Sequence, residues 1–346
     1  MHVSAMLRRG AIPLVVLALL AAGCGDDDDS VSDETDGTGS SVEVPEGIVV
    51  GAGINDPEDV NIAVLQFLPA KVSVEVGTPV NWEWNGPEPH SVTFLPPAQE
   101  LPPPGSDESL FAPTPPTGPY DGSTLINSGL QPLGTAPTPF EVTFSAAGTY
   151  PYYCVIHPTM VGELDVTEAG GDVDTPADIA ARAAEEQAAG LEEGRAAKAA
   201  LVDAEPTQTQ NDDGTTTWTV EMGVTTEHTD VLAFAPTPAG VKAGDTVTFV
   251  NNSGAPHTAS FFGTGAAPIQ NPLDPAVNAP APGPSPQALA SAGFFNTGLL
   301  PPNAPPGAGP PEAVRSFSFT VPDPGTYAYV CILHAPSGMV GEVTAT

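Results

Sequence analysis

The chain carries one strand-and-loop passage twice. Gly148-Thr149-Tyr150-Pro151-Tyr152-Tyr153 runs into Cys154-Val155-Ile156-His157-Pro158-Thr159-Met160, and Gly325-Thr326-Tyr327-Ala328-Tyr329-Val330 runs into Cys331-Ile332-Leu333-His334, closed by Met339. A strand alternates its faces, so Tyr150, Tyr152 and Cys154 point the same way, into a core. Each cysteine then stands at a strand end, where a short loop can return a histidine and a methionine to its sulfur. Farther upstream each copy has another histidine behind a proline, His90 and His257. Any fold for this chain has to bring a distant histidine to a cysteine loop, and has to do so twice.

The residue types define a chemistry. A trigonal set of two imidazoles and one thiolate, with a weak axial thioether, suits both oxidation states of copper, so little rearranges when an electron arrives or leaves. The cysteine binds as thiolate, and the metal enforces that state. The candidate ligands are His90, Cys154, His157 and Met160 in the first copy, and His257, Cys331, His334 and Met339 in the second. Four of the six histidines and two of the three cysteines fall in this pattern. A buried cysteine near a surface histidine would account for one such motif, but not for a matched pair. A Cys154–Cys331 disulfide would require equivalent buried positions of two domains to approach within roughly 7 Å between Cα atoms.

The correspondence extends beyond the loops. Phe67-x-Pro69 matches Phe234-x-Pro236, Gly77 matches Gly244, and Gly162-Glu163 matches Gly341-Glu342. Asn127-Ser128-Gly129-Leu130 matches Asn296-Thr297-Gly298-Leu299. The spacing drifts along the copies, as expected of a duplicated unit with loop insertions. Val72, Val74 and Val76, then Val80, Trp82 and Trp84, then Phe140, Val142 and Phe144 alternate in the strand period, and Phe317, Phe319 and Val321 mirror the last run. Short strands bounded by Gly and Pro predict β-sandwiches over 45–168 and 212–346. The Pro-rich stretches Pro96–Pro119 and Pro268–Pro311 are long enough to cap a site or shape a docking face, or to be surface excursions. Residues 169–211 read as a linker. Thr175-Pro176-Ala177-Asp178 opens a helix with a hydroxyl cap, proline at N1 and a carboxylate at N3. Gly190 and Gly194 leave open whether it is one helix or two.

The first residues read as a targeting segment. Arg8 and Arg9 precede an apolar run, Ala11–Ala22, too short to span a bilayer comfortably. Leu20-Ala21-Ala22-Gly23-Cys24 resembles a bacterial lipoprotein lipobox, with Ala21 where leucine is more usual. That resemblance implies a signal peptide over 1–23, a lipid on Cys24 and a protein anchored outside the cytoplasmic membrane; plain secretion is the alternative. Residues 24–44 hold Asp26–Asp29, Asp33, Glu34 and Asp36 among Gly, Ser and Thr, and read as an acidic, solvated tether. A formal charge of −34 excludes nucleic-acid binding, which needs basic patches, and suits basic partners or plain solubility.

Together these motifs resemble the cupredoxins of the plastocyanin, amicyanin and halocyanin kind. Cys154-x-x-His157-x-x-Met160 before Val161-Gly162 is similar to the amicyanin loop, and Cys331-x-x-His334-x-x-x-x-Met339 before Val340-Gly341 to the plastocyanin and pseudoazurin loop. The resemblance implies an all-β chain of two Greek-key sandwiches joined by a helical linker, with one copper at an end of each. It also implies an outer electron path through the ring edges of His157 and His334. One departure stands out: asparagine often follows the upstream histidine in these families and braces the loop, where this chain has Ser91 and Thr258. The implied function is a membrane-tethered carrier of single electrons between redox protein partners. Copper capture or delivery would use the same ligands. A multicopper oxidase or nitrite reductase needs extra histidine-rich sites and typically a histidine beside the cysteine. Here Tyr153 and Val155 flank Cys154, Val330 and Ile332 flank Cys331, and His228 is the one unassigned histidine after Cys24. The expectation is therefore a non-enzymatic protein.

Overall fold

A computed structural model describes residues 47–103, 107–132, 136–157, 159–263, 285–289, 293–303 and 315–346. The signal segment, Cys24, the acidic tether and most of the second Pro-rich stretch lie outside them. The first copy forms β1 (Ile48–Asn55), β2 (Ile62–Leu68), β3 (Lys71–Glu75), β4 (Pro79–Asn85), β5 (Thr93–Phe94), β6 (Ile126–Asn127), β7 (Phe140–Thr143), β8 (Gly148–Tyr153) and β9 (Val161–Thr167). A helix, α1 (Pro176–Val202), follows. The second copy forms β10 (Thr207–Gln210), β11 (Thr216–Thr225), β12 (Thr229–Ala235), β13 (Thr246–Val250), β14 (Ser260–Phe262), β15 (Gln287–Ala288), β16 (Phe294–Asn296), β17 (Ser316–Thr320), β18 (Gly325–Val330) and β19 (Val340–Ala345). Among the described residues, no helix is long and apolar enough to cross a membrane.

Alternation places the cores. Val80, Trp82 and Trp84 of β4 are buried while Glu83 and Asn85 face out, and Leu164 and Val166 of β9 do the same beside Asp165. Side chains of the sheet β3-β9-β8-β5-β6 meet those of β1, β4 and β7 in one core, around Phe67, Trp82, Phe94, Phe144 and Tyr152. Side chains of β16-β14-β18-β19 meet those of β11, β12, β13 and β17 in another, around Leu232, Phe249, Phe261, Phe319 and Tyr329. Cys154 and Met160 belong to the first core, Cys331 and Met339 to the second. Both cysteines are free, so no disulfide joins the copies.

The two copies share a sheet. Its order is β15-β17-β13-β11-β12-β2-β1-β4-β7, with β10 beside β11. The seam pairs β12 with β2 antiparallel, Thr229 opposite Val64 and Val231 opposite Ile62. Leu65 N–H donates to His228 O at 2.8 Å, and Leu232 N–H to Asn61 O at 2.7 Å. Strand β2 accordingly divides its side chains: Phe67 enters the first core, Ala63 and Leu65 the second, and Ile62 and Val64 pack with Leu191 of α1. Two strands that would otherwise be open edges satisfy each other's backbone groups.

One continuous helix lies over this seam. Thr175 and Asp178 form a capping box, each side chain accepting from the other's backbone N–H at 3.2 Å. The glycines that weaken the helix by propensity are its contact points. A Cβ on Gly190 would stand 2.9 Å from Val64 Cγ1, and one on Gly194 would overlap Ile62 and Thr229. Thr229 Oγ1 donates to Gly190 O at 2.7 Å. Arg195 pairs with the buried Asp56 carboxylate at 2.6 Å, and Lys198 with Asp59 at 2.6 Å. The Arg195 guanidinium holds the Asp56 carboxyl below the usual carboxylate range, against the effect of burial.

Gly194→Ala separates propensity from packing. Propensity alone would stabilise the protein by about 1 kcal/mol. Overpacking the seam should instead destabilise it by roughly 1–3 kcal/mol in denaturant unfolding.

Candidate metal centres

Each loop is built from the end of a core strand. Strand β8 ends at Tyr153 and delivers Cys154; β18 ends at Val330 and delivers Cys331. Backbone bonds then close the loop on itself. Cys154 N–H donates to Met160 O at 3.1 Å and Met160 N–H to His157 O at 3.0 Å. The second loop repeats this with Cys331 N–H to Met339 O at 3.0 Å and Met339 N–H to His334 O at 3.1 Å. The upstream histidines arrive from a separate segment, held by backbone bridges of His90 to Gln131 and of His257 to Leu300. Each upstream ring rests against a glycine bulge. Gly53 in β1 and Gly223 in β11 have φ of 70° and 83°, at irregularities in their strand registers. A Cβ on Gly53 would fall 2.6 Å from His90 Cδ2, and one on Gly223 would stand 3.3 Å from His257 Nε2.

The ligand atoms of His90, Cys154 and His157 lie within 4.8 Å of one another, and so do those of His257, Cys331 and His334; all six residues are buried. His90 Nδ1 is 3.0 Å from His157 Nδ1, and Cys154 Sγ is 3.5 Å from His157 Nδ1. In the second set His257 Nδ1 is 2.9 Å from His334 Nδ1, and Cys331 Sγ is 3.3 Å from His334 Nδ1 and 3.7 Å from His257 Nδ1. Nitrogen and sulfur bind a first-row ion at about 2.0–2.3 Å, so donors around one ion stand roughly 3–4 Å apart. Both sets have that spacing. Met160 and Met339 are buried at the ends of the same loops. The donor set therefore fits one thiophilic transition-metal ion per copy.

Protonation follows from the same contacts. Burial disfavours the thiolates, yet the neighbouring His157 and His90 rings hold Cys154 well below its ordinary range, as His334 and His257 do for Cys331. Burial also disfavours charged imidazole, but Cys154 and Glu88 raise His157 to about 10. Glu88 and Cys331 raise His334 in the same way. A cation entering either site takes over the role of those ring protons.

Ser91 and Thr258 brace the loops. Ser91 Oγ accepts from Val155 N–H at 2.9 Å and stands 3.1 Å from Thr93 Oγ1, which donates to Asn127 Oδ1 at 3.0 Å. Thr258 Oγ1 accepts from Ile332 N–H at 2.9 Å, with Ser260 Oγ 3.0 Å away and 3.1 Å from Asn296 Oδ1. The backbone N–H groups of Ser91 and Thr258 also donate to Cys154 Sγ at 3.4 Å and Cys331 Sγ at 3.5 Å. The repeated Asn-x-Gly-Leu motif thus anchors the hydroxyl relay. Beside the first loop, Leu110 from the first Pro-rich stretch packs with Leu130 and Val155.

The loop histidines depart from expectation. Their rings do not form an outer path, because His157 and His334 are only 1 % and 2 % exposed. His334 Nε2 lies 3.1 Å and His157 Nε2 3.6 Å from the same oxygen, Glu88 Oε1. Glu88 is buried, with Ser337 Oγ donating to its Oε2 at 3.3 Å. Burial would raise the Glu88 carboxyl, but the His334 and His157 rings hold it well below the usual range. Sequence reasoning passed over Glu88. The signal is an asymmetry, Pro87-Glu88-Pro89-His90 against Gly254-Ala255-Pro256-His257. His228 sits in a turn, partly exposed, with Nε2 3.8 Å from Glu227 Oε1. Cys24 lies outside the described residues.

The family of copper binding proteins described as plastocyanin/azurin matches residues 57–167. Plastocyanin of Vicia faba is 30% identical over 119 residues, covering 33% of this chain and 87% of its own length. The chloroplastic plastocyanin of Oryza sativa subsp. indica is 33% identical over 114 residues, covering 33% of this chain and 55% of its own length. The chain therefore spans about half the length of that relative. A solved mutant of oxidised amicyanin is 22% identical and covers 36% of this chain and 87% of its own, with a TM-score of 0.23.

Ser91→Ala removes the acceptor for Val155 N–H and should weaken metal retention at the first site by roughly 10-fold or more, read by chelator competition. Ser91→Thr, which installs the residue found at the second site, should retain it.

Proposed function

The chain belongs to the plastocyanin/azurin family of copper-binding proteins, and from that premise we propose that it is a blue copper protein with two type 1 centres, carrying single electrons between redox protein partners. The observation that carries this reading is the pair of buried His₂Cys sets. Copper, when bound, supplies a one-electron couple. His90, Cys154 and His157 would hold it in the first copy, and His257, Cys331 and His334 in the second, with the thioethers of Met160 and Met339 as further candidate ligands.

The chain's own contribution is rigidity. Each cysteine is fixed at a strand end, each loop is closed by its own backbone, and each upstream ring rests against a glycine bulge. A site held this way cannot relax far toward the geometry either oxidation state would choose alone, which keeps reorganisation small. Capture and delivery of copper calls for a site that exchanges metal readily; the burial of all six ring and sulfur ligands favours retention.

In this reading 45–168 and 212–346 are two cupredoxin domains, and 169–211 is their helical linker. The lipobox-like segment supports an extracytoplasmic protein held to the membrane through lipidated Cys24 and the tether 24–44. No substrate is transformed.

Copper titration of the soluble chain after Cys24 should saturate at two ions, with an intense thiolate-to-copper absorption band. Cys154→Ser and Cys331→Ser should each remove about half of that band, because each centre has one thiolate. Uptake of copper without the band would contradict the reading.

A further inference from the structure

The Nε2 edges of the two loop histidines meet at the seam between the copies, and one carboxylate stands between them. Glu88 comes from the first copy, yet its Oε1 is nearer to His334 of the second, 3.1 Å, than to His157 of its own, 3.6 Å. Neither Glu88 Oε1 nor His157 Nε2 has another hydrogen-bond partner. Buried polar atoms are rarely left without partners, because the desolvation cost is not recovered. Here Glu88 Oε1 and His157 Nε2 face each other, with the ring of His334 beside them.

Glu88 is also held from both copies, by its backbone in the first and its carboxylate in the second. Asn55 Oδ1 accepts from Glu88 N–H at 3.3 Å, and Ser337 Oγ donates to Glu88 Oε2 at 3.3 Å. Ser337 belongs to the longer second loop, whose carbonyl accepts from Asn61 Nδ2 at 2.8 Å. The same Asn61 amide donates to Leu232 O at 3.0 Å, tying that loop to the paired strands. The second copy has Ala255 in place of Glu88, and Glu88 faces the loop histidines of both copies.

We propose that Glu88 is a shared positioning residue that couples the two centres: it orients the rings of His157 and His334, tunes the reduction potentials of both sites, and completes a buried contact path between them. This rests on the copper reading above. An anionic acceptor behind a ligand histidine fixes the ring and raises its basicity. Buried between the rings, its charge is screened less than one in water and acts on both sides. The oxidised centre carries one more positive charge than the reduced one, so the carboxylate favours the oxidised form at both. Between the rings the path crosses gaps of 3.1 and 3.6 Å and enters no solvent. With copper in both sites, exchange along it would move one electron from the reduced to the oxidised centre, with no bond made and no proton transferred.

The test is Glu88→Gln, which keeps the side chain's shape and removes its charge. Potentials are read by spectroelectrochemistry in Cys331→Ser and Cys154→Ser backgrounds, each of which leaves one centre. Both potentials should rise, the oxidised-to-reduced ratio at fixed potential falling about tenfold at each, or ~59 mV for one electron. In the two-centre protein, flash reduction of one centre should be followed by concentration-independent exchange at least ~10-fold slower in Glu88→Gln than in the parent. Glu88→Asp keeps the charge but withdraws it from the rings, and should shift both potentials the same way by less; it serves if the glutamine variant does not fold. A shift at the first centre alone would make Glu88 a local brace and overturn the proposal, as would unchanged potentials at both. If the parent chain gives no blue centre, the electron-carrier reading fails first and this inference with it.

Discussion

Two imidazole nitrogens and a thiolate are held 2.9–3.7 Å apart inside each hydrophobic core, and the rest of the architecture depends on keeping them there. Such a cluster is costly to bury unless its members are paired or hold a cation. The strands answer by rigidity. Tyr152 and Tyr329 lock the strands that deliver the cysteines into aromatic clusters with Phe67 and Trp82, and with Phe234 and Phe249. The hydroxyl relays from Asn127 and Asn296 then fix the loops from outside the core.

The second constraint is the seam. Pairing β2 with β12 turns two sandwich halves into neighbours in one sheet, and α1 can lie flat on that junction because Gly190 and Gly194 present no side chain. Fusion at this edge brings the loop of one copy to the carboxylate of the other. The contact of Ser337 with Glu88 follows from it, as does the burial of both loop histidines. A duplicated fold joined by a loose tether would leave those ring edges to solvent. This arrangement places them face to face across an acid.

Donor chemistry is legible in the sequence because it is local. A cysteine, a histidine and a methionine fall within one loop in each copy, and the structure buries all three and brings an upstream histidine to them. Strand periodicity exposes the β character for the same reason. What escapes sequence reasoning is relational. Gly190 and Gly194 read as defects of a helix and turn out to be its contact surface. Ser91 and Thr258 stand where asparagine often braces the loop in similar proteins, and their hydroxyls accept from the loop backbone at 2.9 Å in both copies. Glu88 is one acidic residue among 42 until the seam sets it between two rings.

The central claim is that each core holds one copper through two imidazoles and one thiolate. X-ray absorption at the copper edge, on protein loaded with two ions per chain, tests it most directly. The account predicts one sulfur at about 2.2 Å and two nitrogens at about 2.0 Å per copper, with the sulfur lost from one half of the ions in either cysteine variant. A spectrum of nitrogen and oxygen ligands alone, with no short sulfur, would contradict it.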